Sequence, residues 1–358
     1  MSRPTLATID TAAFVANYRH AKALAPGARA VAVVKANGYG HGAIRLAQAL
    51  GDEADAFGVA CTEEAMELRE SGIGNPILLL EGVYEPDEIR NAALHGLQMV
   101  VHSQTQLAWL LAARPARPLA IWLKIDTGMH RLGLAATEAA SAYRRLRASP
   151  NVAGVVLMSH FARADETDNA ATQTQLEMFR QCTDGIEASC SLANSAAIMA
   201  WPDTRRDWIR PGIMLYGSSP LDRPAAFRVP LSAVMRLESQ LIATRELAAG
   251  ESIGYGARYT CDRPTRVGVV AIGYADGYPR HAPDGTPVAV NGRLTRLIGR
   301  VSMDMLTVDL SGQPAARIGD PVELWGQRID VGEIARLSDT IAYELLTRIN
   351  RRVHFVYR

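Results

Sequence analysis

Eight short apolar runs, at 30–35, 56–60, 76–80, 98–101, 119–125, 152–160, 188–193 and 208–215, alternate with helix-like stretches. The runs are near-continuous in apolar character rather than alternating, which is what strands of a parallel sheet covered on both faces require. Thr62 ahead of Glu63, Glu64 and a 66–69 apolar and basic pattern reads as a helix N-cap, one of several strand-to-helix turns of this kind. Eight such units close into a (β/α)8 barrel.

The pattern changes near Leu231. Runs at 237–245, 266–272, 287–290, 295–298, 305–310 and 321–324 are divided by Gly-containing turns, and Asn291-Gly292 is a hairpin signal. The expectation is therefore an α/β chain: a barrel over 1–232, whose first ten or so residues pair with the second unit, and a mostly antiparallel β domain over 233–358.

Charge narrows the ligand. Lys and Arg total 38 against 37 Asp and Glu, so no broad field recruits nucleic acid or an anionic membrane, and an anion site has to be local. A small molecule is the expected ligand. No run approaches the roughly 18 apolar residues of a membrane span, no apolar leader opens the chain, and the four cysteines lack a C-x-x-C pair; the reading is a reduced, cytoplasmic protein. Nothing like H-E-x-x-H appears, so no metal is expected.

In a barrel the C-terminal strand ends form the active-site face, which places Lys35 there, followed by a glycine-rich turn. By position alone such a lysine more often snorkels to solvent. At the seventh and eighth strand candidates come Asn194-Ser195 and Arg210-Pro211-Gly212-Ile213, where barrel loops often cradle phosphate; an isolated Pro-Gly is otherwise ordinary turn chemistry. An amine that traps an aldehyde, opposite a phosphate cradle, spans a phosphorylated aldehyde cofactor.

Motifs over essentially the whole chain carry a resemblance. Val33-Val34-Lys35-Ala36-Asn37-Gly38-Tyr39-Gly40-His41-Gly42, Lys124-Ile125-Asp126-Thr127-Gly128-Met129-His130-Arg131, Met158-Ser159-His160-Phe161, Asn194-Ser195, Arg210-Pro211-Gly212-Ile213, Gly254-Tyr255-Gly256, Gly273-Tyr274-Ala275-Asp276-Gly277-Tyr278 and Gly299-Arg300-Val301-Ser302-Met303-Asp304 resemble, in order, the motifs of alanine racemases, most in look the catabolic type of Gram-negative bacteria. Gly38 stands where Ala is common and Ser302 where many members carry Cys; neither removes a group the chemistry needs.

The resemblance implies racemisation of L- and D-alanine on pyridoxal 5′-phosphate through an external aldimine, with two bases. Lys35 holds the cofactor and serves the D-alanine face, while Tyr255 serves the L-alanine face. Tyr39, Asn194, Ser195, Tyr343 and backbone near Gly212 and Ile213 hold the cofactor, and Arg210 faces the pyridine nitrogen. Arginine donates a hydrogen bond without giving up its proton, which weakens the electron sink and favours racemisation over transamination. A free tyrosine is mostly protonated at pH 7, so His160, between Tyr255 and Arg210, is expected to help. Without the resemblance His160 reads as a core histidine and Tyr255 as a turn aromatic. Arg131, Met303, Tyr274 and Asp304 are implied to bind substrate, and Lys124 to be carbamylated (N6-carboxylysine). The β domain of one subunit is implied to complete the barrel of the other, making a homodimer with composite sites.

Three rivals remain. A racemase of another small amino acid such as serine is separated by kcat/KM, a non-catalytic cofactor carrier would lack the opposing base, and a decarboxylase would favour an acid where Arg210 stands. The sequence leaves His41, His102 and His130 without a role.

Overall fold

A computed structural model describes residues 3–222 and 230–358. The chain opens with strand β1 (Leu6–Ile9) and a helix, Thr11–Leu24. Strands β2 (Arg29–Val33), β3 (Ala56–Val59), β4 (Ile77–Leu79), β5 (Leu97–Val101) and β6 (Leu119–Asp126) follow, then the short β7 (Leu134–Ala135), β8 (Val152–Met158), β9 (Ser189–Ser191) and β10 (Trp208–Ile209). Parallel pairing runs β5-β4-β3-β2-β10-β9-β8-β6, and β5 pairs β6, so the sheet closes on itself as an eight-stranded barrel; β7 adds on to β6 outside it.

Each of the eight apolar runs overlaps one of these strands. Side chains alternate as a closed sheet demands. Val31, Ala56, Leu78, Val100, Trp122, Met158 and Trp208, one each from seven strands, form one buried cluster. Their neighbours Ala30, Phe57, Ile77, Met99 and Ile121 join the larger core against the helices. Trp122 and Trp208 meet with ring centroids 5.3 Å apart, and Trp122 Nε1 donates to Gln98 Oε1 at 2.8 Å, so the large indole is buried without losing its polar partner.

Two local readings are corrected. The helix begins at Thr62 with Cys61 at the cap position, and the Thr62 hydroxyl donates instead to Glu88. The last run, expected over 208–215, is strand only at Trp208–Ile209, with Arg210 N still donating to Ala193 O; Pro211 has no N–H to give, and the chain turns into a 3₁₀ segment at Ile213–Tyr216.

The remaining strands are β11 (Met235–Leu247), β12 (Ser252–Ile253), β13 (Tyr259–Thr260), β14 (Thr265–Val270), β15 (Pro287–Val290), β16 (Arg293–Arg296), β17 (Leu306–Asp309), β18 (Pro321–Trp325) and β19 (His354–Tyr357). Their pairings are antiparallel, except that β1 runs parallel to β19 while pairing antiparallel to β11. Asn291 and Gly292 both have positive φ, +50° and +74°, the turn that joins β15 to β16 with the twist of the strands. Helices Val331–Leu337 and Ala342–Thr347, which the periodicity did not announce, lie between β18 and β19. None of the described helices is long and apolar enough to cross a membrane.

Candidate active site

The C-terminal ends of the barrel strands gather cations. Lys35 follows β2, Lys124 lies in β6, Arg131 lies in the loop after it, and Arg210 follows β10. Lys35, Arg131 and Arg210 all act on Lys124, whose side chain is buried. Burial first, then Arg210 and Arg131, push the Lys124 ammonium down to about 8. Glu81, two residues past the end of β4, is the carboxylate whose field opposes them, and Tyr84 donates its hydroxyl to it. Asp126 does not pair with Lys124: its carboxylate accepts the Gly128, Met129 and His130 N–H groups and the His130 ring, folding the turn that brings Arg131 back to the mouth.

Arg210 is buried and its fork is fixed from several sides. Nη1 donates to Ser191 Oγ at 2.6 Å; Nη2 donates to Ser159 O at 2.7 Å and Leu192 O at 3.2 Å. Burial lowers it to about 10, so it stays a cation at neutral pH. Its Nη2 also lies 3.3 Å from His160 Nδ1. Guanidinium has no acceptor, so His160 Nδ1 is the acceptor and Nε2 carries the hydrogen. Burial, then the positive charges of Arg210, Lys124, Arg131 and Lys35, holds His160 well below the ordinary histidine range, hence neutral. Gln175 secures this loop, donating to His160 O at 3.0 Å and accepting from Ala162 N at 2.9 Å.

In the adjoining strand-end loops Tyr39, Ser195 and Gly212 converge. Ser195 Oγ accepts Gly212 N at 2.8 Å, and a Cβ built on Gly212 would stand 2.8 Å from Tyr39 Oη and 3.9 Å from Ser195 Oγ. A glycine is needed for the backbone to come this close to the two hydroxyls. Tyr343, from the helix Ala342–Thr347, packs its ring 5.7 Å from that of Tyr39 in the same chain. Asn194 caps the helix Ser195–Ala200, its side chain accepting from Ala197 N at 3.0 Å, and Ile213 is fully buried at the start of the 3₁₀ turn. A cleft of about 730 Å³ lined by Asp10, Tyr216, Trp325 and Asp330 has none of the four cations.

The turn joining Lys35 to Tyr39 is left-handed. Ala36, Asn37, Gly38 and Tyr39 have φ of +52°, +52°, +61° and +48°. Left-handed backbone costs roughly 1–2 kcal/mol per non-glycine residue, so other bonds must hold it. Glu64 accepts Ala36 N at 2.7 Å and Ala60 N at 2.8 Å, tying two strand-end loops together, and Asn37 Oδ1 accepts Ala43 N at 3.0 Å.

Tyr255, Tyr274, Met303 and Asp304 lie on the β domain. Tyr255 is 70% exposed, Met303 53% and Tyr274 38%, an exposed apolar group on a chain whose other large side chains are mostly buried. Tyr274 N donates to Ser302 O at 3.1 Å and Ala275 N to Met303 O at 3.0 Å, so these two loops share one face. Buried Asp276 joins them to both ends of the chain through ion pairs with Arg3 and Arg352, and Arg352 also pairs with Asp304 at 2.5 Å. Sequence reasoning passed over Glu81, Ser191 and Gln175; the position of Glu81 just past strand β4 was the available signal.

Comparison with known proteins then decides the family. The model of the alanine racemase N-terminal domain matches residues 9–220 and that of the alanine racemase C-terminal domain residues 234–357. The chain belongs to the alanine racemase family. Relatives include the alanine racemase of Pseudomonas entomophila, 54% identical over 98% of each chain, and the catabolic alanine racemase of Pseudomonas aeruginosa, 52% identical over 98% of each. Among solved structures, the biosynthetic alanine racemase of Pseudomonas aeruginosa matches with a TM-score of 0.96 and 51% identity, covering 99% of both chains. The alanine racemase of Acinetobacter baumannii matches at a TM-score of 0.94 and 37% identity, over 99% of this chain and 100% of that one. The cationic mouth, the hydroxyl-lined cradle and the exposed β-domain tyrosines are thus features of an alanine racemase family fold.

Proposed function

We propose that the protein interconverts L- and D-alanine, with pyridoxal 5′-phosphate bound by Lys35. The observation that carries the reading is the close approach of Gly212 to the Tyr39 and Ser195 hydroxyls at a barrel mouth that also gathers Lys35, Lys124, Arg131 and Arg210. A phosphate and a carboxylate both need such donors, and the residues fit the group. When bound, the cofactor supplies an electron sink that makes the substrate Cα–H acidic.

The protein's own groups do the rest. Tyr39, Ser195, Tyr343 and backbone at Gly212 and Ile213 receive the phosphate, beside the Asn194-capped helix. Arg210, a cation fixed by Ser191 and two carbonyls, donates toward the ring nitrogen without yielding its proton. Lys35 Nζ takes or gives the Cα proton on one face and Tyr255 of the partner subunit on the other. The neutral His160 presents Nε2–H, the donor a phenolate needs, with Arg210 behind it. Arg131 orients the substrate carboxylate, and Tyr274, Met303 and Asp304 of the partner subunit bound the space for its side chain. The exposure of the β-domain residues supports this arrangement: a homodimer in which 233–358 of one subunit completes the 1–232 barrel of the other. The enzyme acts in the cytoplasm.

Lys124 is carbamylated in this reading. Its neutral amine adds carbon dioxide, an N–C bond forms, and the proton leaves to solvent. The resulting anion faces Arg131, replacing repulsion by charge-assisted bonds. The test of function is exchange of the Cα proton in deuterium oxide with L-alanine, D-alanine and L-serine. Equal final enantiomers from alanine with a higher kcat/KM than serine are expected; preference for serine overturns the substrate assignment.

A further inference from the structure

His41 takes no part in the chemistry above, yet it is fully buried in the turn that follows Lys35. Its Nδ1 lies 2.9 Å from Tyr39 O and 3.1 Å from Gly38 O. Both partners are carbonyls, so Nδ1 carries the hydrogen and Nε2 is a bare acceptor, which has no hydrogen-bond partner among the described residues. Burial lowers the imidazole to about 4, in keeping with a ring that stays neutral at working pH.

The bond matters because of where the Tyr39 carbonyl is. Tyr39 has φ of +48°, a conformation a tyrosine rarely adopts, and it follows three more left-handed residues. On its other side the Tyr39 ring packs 4.6 Å from Tyr216, whose hydroxyl donates to Val33 O, and the His41 ring packs 4.8 Å from the same Tyr216. Backbone and ring of Tyr39 are therefore fixed from two directions, and His41 supplies the backbone half.

We propose that His41 is a positioning residue: by donating to the Tyr39 carbonyl it holds the left-handed turn that aims the Tyr39 hydroxyl at Gly212 and Ser195. This rests on the reading that Tyr39 receives the cofactor's phosphate, and the test separates the two. Affinity of the full-length protein for pyridoxal 5′-phosphate, and for pyridoxal, which lacks the phosphate, is measured for Tyr39→Phe, His41→Gln, His41→Asn and the His41→Gln/Tyr39→Phe pair. The Asn side-chain N–H stands near the place of Nδ1–H, whereas that of Gln reaches toward Nε2. Tyr39→Phe is expected to weaken pyridoxal phosphate about ten-fold, or 1.4 kcal/mol, and pyridoxal little. His41→Gln should lose as much, the pair no more than Tyr39→Phe alone, and His41→Asn should stay within about three-fold of the parent. Full affinity in His41→Gln, or losses that add in the pair, overturn the proposal. If His41→Gln fails to fold, His41→Asn decides: parent-like affinity supports the role, and equal loss of both ligands overturns it. No effect of Tyr39→Phe would instead remove the phosphate reading itself.

Discussion

Replacing Lys124 by Met tests the electrostatics of the barrel mouth. Met keeps most of the volume and removes an ammonium that burial, Arg210 and Arg131 bring from 10.5 to about 8. A cation whose folded value is depressed costs stability while both states are protonated, below pH 8, and the cost fades as pH rises through 8 toward 10.5. At 1.36 kcal/mol per pH unit the full cost is about 3 kcal/mol. In buffer freed of carbon dioxide at pH 7, Lys124→Met should be the more stable protein by that order, and the advantage should be gone by pH 11. Carbamylation adds a second arm. At pH 7.4 about one amine in five is neutral when the value is near 8, against about one in a thousand at 10.5, so the site is receptive. Bicarbonate should stabilise the parent and leave Lys124→Met unmoved, with denaturant unfolding at fixed protein concentration as the assay. If the Met protein is no more stable without carbon dioxide, or both proteins respond alike to bicarbonate, the account of Lys124 fails.

Further outcomes follow from the same geometry. Borohydride reduction and peptide mapping should place the pyridoxyl label on Lys35, and a label on another lysine refutes its role. Tyr255→Phe should slow deuterium exchange from L-alanine far more than from D-alanine; equal losses contradict a two-base mechanism. Gly212→Ala puts a carbon 2.8 Å from Tyr39 Oη and should weaken pyridoxal phosphate by the worth of a hydrogen bond to a charged group, about 1.5–3 kcal/mol, with pyridoxal spared. Mixing inactive Lys35→Ala and Tyr255→Phe chains should restore about a quarter of parental activity, because half the dimers are mixed and each has one intact site; no recovery speaks against shared sites.

The barrel was legible because its strands are buried on both faces and therefore apolar almost without a break, as in Arg29–Val33 and Leu119–Asp126. Helix starts were less so: Glu64, read as part of a first turn, spends its carboxylate on Ala36 and Ala60 N–H groups, and Thr62 turns to Glu88. Lys35, Lys124, His160 and Arg210 stood at strand ends in the sequence and meet at the barrel mouth. The left-handed turn between Lys35 and Tyr39 was not legible. Neither Ala36 nor Tyr39 prefers positive φ, and what enforces it, Glu64 and His41 with the packing of Tyr216, acts across the fold rather than along the chain. Helices Val331–Leu337 and Ala342–Thr347 are each under two full turns, too short for periodicity to register.

Strand β1, at residues 6–9, is hydrogen-bonded to residues 235–238 on one side and 354–357 on the other. On the ribosome both neighbours therefore appear only after the barrel strands, which span 29–209. Throughout the making of the barrel, a buried-type strand and the helix Thr11–Leu24 behind it must wait unpaired or be shielded. Such long-range closure is slow and exposes an edge in the meantime. Growth conditions that lengthen that wait, or a ribosome stalled short of residue 354, leave strand β1 of the β-domain sheet without its parallel partner at 354–357.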